Sequence, residues 1–428
     1  MAPIKNNDSI IVIGAGVFGL STALELSKRG YRNITVLDRH VPPVVDGSSV
    51  DISRIIRIDY ADPLYAQMAR EAYQGWINEY TDFYYESGFV MLADTFSNPY
   101  MSKAKEIVKS QGGRLDEFND ANQIRSLYAN VQADLDGLFA VHNPIGGWAD
   151  AERSIQHLAR QCNMAGVSFI TGPRGTVHSL RKSGTRVVGV NLTGGGYLLA
   201  SQVILSTGAW SNRLVDLSHA ASASGQPVGF IKLTPEESRE LENTPVMINM
   251  STGVFCFPPT PGTNILKLAR HGYGFATETT SEATGRLISS PKRDGSNAES
   301  GYLPNDADEG LREGLRQFFP KLKGRDWMNR RLCWYTDTPG GDFIIDHHPI
   351  LDGLFVATGG AGHAFKFLPV LGRYVADCFE NTASQSIRRK WQLQVPVEGA
   401  QASSTMMGDG SRGGPPLRKL NAIEQSKL

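Results

Sequence analysis

The residues best suited to chemistry fall into three groups along the 428-residue chain. The first is the run Gly14-Ala-Gly16-Val17-Phe18-Gly19, which follows an apolar segment and precedes Asp38 by about twenty residues. Gly14 permits a tight turn, Gly16 lets backbone amides approach a pyrophosphate, and Gly19 lets a helix pack on its strand. The phosphates then meet the positive end of that helix, and Asp38 can accept ribose hydroxyls. This spacing predicts a dinucleotide site and does not separate NAD from FAD. The second group is Arg54 and Arg57, separated by two isoleucines within the stretch from Ser48 to Tyr60. On a regular strand the two arginines would face opposite ways, but in an irregular turn both can reach one site. The third group is a pair of later glycine turns, Thr207-Gly208-Ala209-Trp210 and Gly359-Gly360-Ala361-Gly362-His363. Each would bring backbone close to the cofactor.

These residues need elements to hold them. Ser9–Ile13, a helix to about Gly30 and a strand over 33–38 read as a βαβ unit. Helices are expected over 65–80, two over 100–130, up to 165 and over 308–319. Strands are expected over 87–93, 167–171, 187–192, 197–200, 202–207, 229–233, 246–250, 253–257 and 265–268. The pattern predicts an α/β fold with an α+β second part. A Rossmann-type nucleotide domain built from 1–62, 145–220 and 326–395 would sit beside a mixed-sheet substrate domain built from 63–144 and 221–325. From about Glu398 the composition turns to Ala, Ser, Gly, Pro and scattered charge, so 396–428 is expected to be a disordered tail.

Composition narrows the classes. Hydrophobic residues make up 41%, and 43 basic residues balance 43 acidic ones, which argues against nucleic acid or an anionic membrane as the main partner. No apolar run is long enough to span a bilayer, and the polar start shows no secretory signal. Cys162, Cys256, Cys333 and Cys378 are too widely spaced for a metal-binding pair or a disulfide framework. The final Ser426-Lys427-Leu428 is the peroxisomal tripeptide, which an import receptor would read.

Taken together, Gly14–Gly19, Ser53-Arg54-Ile-Ile-Arg57, Gly208-Ala-Trp210-Ser, Leu266-Lys267-Leu-Ala-Arg-His271, Cys333-Trp-Tyr-Thr-Asp337-Thr-Pro, Phe343-Ile-Ile-Asp and Gly362-His363-Ala-Phe365-Lys366-Phe resemble one family. It is the flavin-dependent amine oxidase family of sarcosine, pipecolate and saccharopine oxidases and fungal fructosyl-amino-acid oxidases (amadoriases). The resemblance implies FAD, held by Gly14, Gly16, Val17, Phe18, Gly19, Asp38, Arg39, Ser48, Ser53, Arg54, Gly208, Trp210, Asp337, Gly360, Gly362, His363, Phe365 and Lys366 and joined covalently to Cys333. It implies Lys267 where oxygen reacts, His271 and Arg54 as catalytic groups, and Arg57 and Lys366 on the substrate carboxylate, with Tyr60 and Phe255 beside it. Phe255 stands where sarcosine oxidases carry a tyrosine, and Ser53-Arg54 stands where fructosyl-amino-acid oxidases tend to carry Asn-Lys.

The implied reaction oxidises a carboxylate-bearing secondary amine by hydride transfer to flavin, giving an imine and, from O2, hydrogen peroxide. The enzyme would act as a monomer in the peroxisome, with no membrane, metal or nucleic-acid partner. A fructosyl-amino-acid oxidase, an NAD-dependent dehydrogenase, a flavin-binding subunit without turnover and an oxidase of fungal secondary metabolism are the competing expectations.

Overall fold

Ser9–Ile13 (β1), Val17–Lys28 (α1) and Asn33–Asp38 (β2) form the expected βαβ unit in a computed structural model that describes residues 6–95, 97–292, 300–395 and 408–428. β1 pairs in parallel with β2 on one side and with Gln202–Leu205 on the other. Ser168–Thr171 extends the sheet beyond β2, Leu354–Thr358 adds beside Gln202–Leu205, and Ile344–His347 closes that edge antiparallel. The two faces of β1 divide by residue parity, as strand geometry requires. Ile10 and Val12 pack under α1 and the helix Leu368–Phe379, while Ile11 and Ile13 meet a three-stranded sheet through Val187 and Val190. A strand covered on both faces has to be apolar where it is buried, and residues 10–13 are.

The second sheet has ten strands. Its path runs from Asp116–Phe118 through Phe139–Asn143, Phe89–Ala93, Val246–Asn249, Val254–Cys256 and Ile265–Arg270 to the eleven-residue strand Ser222–Lys232. Parity again sorts the side chains. Val90, Leu92, Leu266 and Leu268 pack with Leu315 and Phe318 of the helix Asn305–Phe318. Phe89, Met91, Ile248, Phe255, Phe257, Ala269 and Cys333 form the opposite face. Lys267 lies between Leu266 and Leu268, so it emerges on this second face as a cation among aromatic and aliphatic groups.

Three expectations need correcting. Asn329–Asp337 does not return to the nucleotide sheet. It pairs antiparallel with Ser222–Lys232, from Asn329 opposite Phe230 to Asp337 opposite Ser222, and so brings Cys333 to the second sheet. The second helix expected within 100–130 is only a six-residue 3-10 turn, Ala121–Ser126, capped by Asp120.

The third correction concerns the tail, of which 396–407 lies outside the described residues. Residues 408–428 are folded onto the body. Arg418–Lys419 pairs in parallel with Phe275–Ala276, Arg418 bridges Asp306 and Glu424, and Leu428 is buried. Arg412 makes a bidentate, fully buried pair with Asp337. These are ionic and backbone attachments, and composition does not register them.

Candidate active site

A cleft with about 2230 Å³ of empty space, its open mouth included, runs between the two sheets. One end is lined by Gly14, Gly16, Val17, Phe18, Asp38, Arg39, Ser48 and Ser49. Gly14 adopts φ +108°, and a Cβ there would stand 2.4 Å from the Ser206 carbonyl oxygen. A Cβ on Gly16 would meet only Ser49 and otherwise point into open space, which is the room a diphosphate needs. Gly19 is not on the cleft wall. A Cβ there would lie 1.9 Å from the Gly14 carbonyl oxygen, so its part is to let α1 approach the turn. The Asp38 carboxylate accepts from the Ala15 and His40 amides at 2.8 and 3.0 Å, which fixes it at the cleft edge. Arg39 stacks 4.4 Å from the Trp210 ring, and Gly208 and Trp210 line the wall beyond. The donors, the open glycines and the fixed carboxylate fit an FAD.

The middle of the cleft carries a buried charge cluster centred on Asp51. Its carboxylate lies 2.8 Å from Arg54, 3.0 Å from Lys267 Nζ and 3.2 Å from Arg331. Lys267 also donates to the Ser53 carbonyl at 2.7 Å. Burial pushes the Lys267 ammonium down to about 7, against the pull of Asp51. Burial alone would raise Asp51, but its three cations hold it below the carboxylate range. Arg54 also reaches the Cys333 sulfur at 3.8 Å, so Cys333 and Lys267 share one neighbourhood on the cleft wall.

The far end is lined by Arg57, Phe89, Met91, Tyr100, Phe255, His271, Tyr335 and Lys366. Arg57 lies one residue beyond the short strand Arg54–Ile56 (β3), and that break in alternation is what lets both arginines reach the cleft. It donates to Tyr100 Oη at 2.8 Å and to Asp59 at 3.0 Å. Lys366 donates to the His363 carbonyl at 3.1 Å, inside the turn Ala364–Phe367. Arg57 and Lys366 sit 4.7 and 5.4 Å from the same ring, that of Tyr60. Burial, reinforced by the Arg57 cation, pushes Lys366 well below the ordinary lysine range. Burial holds His271 and His363 neutral, at about 3 and about 4.

Two expected contacts are corrected and a third is relocated. Tyr60 is buried behind the wall. His363 donates from Nε2 to the Gly341 carbonyl at 2.8 Å, so its Nδ1 accepts the Tyr60 hydroxyl at 3.1 Å. Tyr60 therefore supports the two cations from beneath. Asp337 is occupied by Arg412 and Ser224 and does not line the cleft. Ser53 contributes its carbonyl to Lys267, while its hydroxyl has no hydrogen-bond partner among the described residues.

Gln226, Tyr335 and Ser411, which line the cleft, and Asp51, which pairs with Arg54 and Lys267 in its wall, were not anticipated as part of this region. Asp51 had a signal, because it is a carboxylate three residues before Arg54 on an otherwise apolar strand approach. Ser411 had none, since its segment is Gly- and Ser-rich.

A glycine-turn dinucleotide cradle joined to a buried, cation-bearing pocket defines an oxidoreductase that works on a small molecule held beside its cofactor. The chain belongs to the DAO family of FAD-dependent oxidoreductases, whose family model matches residues 9–378. It is 32% identical over 407 residues to L-saccharopine oxidase of Schizosaccharomyces pombe, covering 90% of this chain and 92% of that one. It is 28% identical to the peroxisomal sarcosine oxidase of Mus musculus, covering 85% and 90%. Among solved structures, the deglycating fructosamine oxidase Amadoriase II of Aspergillus fumigatus superposes with a TM-score of 0.83 at 27% identity, covering 97% and 96%.

Proposed function

We propose that this FAD-dependent oxidoreductase is an oxidase of a secondary amine bearing a carboxylate, such as an N-substituted or cyclic amino acid. The observation that carries the reading is the Arg57–Lys366 pair. Two cations share one aromatic floor in a buried pocket, and burial with mutual repulsion already disfavours the lysine charge. A carboxylate docked there would offset that repulsion and take charge-assisted hydrogen bonds from both. Phe89, Met91, Phe255 and Phe257 supply apolar walls for the carbon skeleton.

Bound FAD supplies the two-electron acceptor for oxidation of the carbon–nitrogen bond and passes those electrons to O2, giving hydrogen peroxide. The chain holds the carboxylate on Arg57 and Lys366. It excludes water with its aromatic wall, and it keeps the Lys267 cation beside Cys333, where negative charge developing on oxygen would be stabilised. Cys333 is the proposed covalent attachment point. Cys333→Ser should give protein whose flavin is released in denaturant, whereas wild-type flavin stays with the polypeptide; flavin retained by the variant would refute the linkage.

The fructosamine oxidase neighbour supports a second reading, oxidation of a sugar-bearing amine. Peroxide release by the purified holoenzyme from sarcosine, pipecolate, saccharopine, an N-methylated aromatic amino acid and a fructosyl amino acid decides between them. The first reading expects the highest kcat/KM on one of the first four. A peroxisomal address rests on Ser426-Lys427-Leu428 and on the mouse relative. Because Leu428 is packed against the body beside the 422–426 turn, a receptor would capture the tripeptide only after that turn lifts away.

A further inference from the structure

The 408–414 segment reaches back to the pocket and touches His271, and its geometry fixes more than the position of that ring. Asp409 accepts the Ser411 hydroxyl at 2.5 Å and the Ser411 amide at 3.1 Å. The Ser411 oxygen lies 2.9 Å from His271 Nε2. A serine hydroxyl has one proton, and here that proton is directed at a carboxylate, which can only accept. The Ser411 oxygen must then accept from His271, so the proton of the imidazole is on Nε2. Nδ1 carries the lone pair. It has no hydrogen-bond partner among the described residues, on a side chain that lines the pocket.

The segment is held closely enough to impose this. Gly413 donates to the His271 carbonyl at 3.1 Å and Gly414 to the Ser251 carbonyl at 2.9 Å, while His271 donates to the Gly253 carbonyl at 2.7 Å. A Cβ on Gly413 would lie 2.3 Å from the Met250 carbonyl oxygen, so the strap lies directly against the hairpin that ends at His271. The Arg412–Asp337 pair anchors the next residue. Burial would raise Asp409, but the hydrogen bonds from the Ser411 hydroxyl and amide and the nearby Arg57 cation hold it ionised. Burial and the Arg412, Arg57 and Lys366 cations keep His271 neutral against the opposing pull of the Asp409 carboxylate.

We propose that Asp409 and Ser411 are positioning residues that lock His271 as the Nε2–H tautomer, so that Nδ1 accepts the N–H of the substrate amine beside the carboxylate held by Arg57 and Lys366. This rests on the secondary-amine reading for the ligand, while the tautomer itself stands on the protein alone. The consequence is a two-point grip: cations for the carboxylate and a neutral acceptor for the nitrogen. A neutral acceptor of such low basicity orients the amine and takes no proton from it.

The test has two readouts on the full-length holoenzyme. With 15N-labelled histidine and His271→Asn as the assignment control, the His271 signal should show its one-bond proton coupling on Nε2 and an unprotonated Nδ1. Ser411→Ala should abolish that single-tautomer signature, and Ser411→Thr, which keeps the hydroxyl, should restore it. On the best amine substrate, Ser411→Ala should raise KM roughly five- to tenfold with kcat within about twofold, as loss of one orienting hydrogen bond predicts. A wild-type proton on Nδ1, or an unchanged tautomer and KM in Ser411→Ala, would overturn the proposal. If the tautomer behaves as stated but no carboxylate-bearing amine is turned over, the substrate assignment fails and the strap's hold on His271 stands.

Discussion

The two ends of the cleft are built differently. The cofactor end comes mostly from one continuous stretch: turn, helix and acidic strand end all lie within residues 9–39, and the turn is shaped by backbone. The far end, where the substrate is proposed to bind, is assembled from five distant places: Arg57 past β3, Tyr100 on a helix, His271 at a hairpin, Lys366 in a 3-10 turn and Ser411 on the returning strap. A site written in local backbone geometry survives almost any change in its surroundings. A site written in side chains from separate elements can be retuned one residue at a time, which suits a family whose members differ in substrate.

The largest effect should come from the cofactor end. Gly14→Ala places a Cβ against the Ser206 carbonyl at a φ that L-residues rarely adopt, a cost of about 3 kcal/mol or more. Little yellow, soluble protein should be recovered, as read by flavin absorbance per polypeptide. Arg57→Ala should leave flavin content intact yet lower kcat/KM for carboxylate-bearing amines about a hundredfold, or roughly 2–3 kcal/mol, with much of the loss in KM.

A smaller change should come from the Asp51 cluster. Lys267 is shifted downward, so its cation exists below about pH 7 and is lost as pH rises through that value. The rate with O2 should therefore decline as pH rises through about 7. Asp51→Asn removes the charge that opposes the downward shift, so the decline should move to lower pH. Stopped-flow reoxidation across pH would detect this, and an unmoved profile would separate Lys267 from the oxygen reaction.

The same contrast explains what could be read from the chain. The βαβ unit was legible because strand, turn glycines and Asp38 are neighbours in sequence and each has one physical reason to be there. Lys267 stood out only through the family pattern; its meaning as a cation on an apolar face needs the parity of a strand whose partners lie far away. Asn329–Asp337 was assigned to the wrong sheet because a strand buried on both faces looks the same in either. Asp409, Ser411 and Arg412 were invisible because a Gly- and Ser-rich segment lacks the apolar area to announce a docking site. It is held by backbone hydrogen bonds and the buried Arg412–Asp337 pair.

The measurement that bears most directly on the account is anaerobic reduction of the holoenzyme's flavin by matched amines with and without the carboxylate, pipecolate against piperidine and sarcosine against dimethylamine. Rapid bleaching by an acid, with its decarboxylated partner slower by at least about a hundredfold, is the predicted result. Equal bleaching by both members of each pair would contradict the carboxylate role of Arg57 and Lys366.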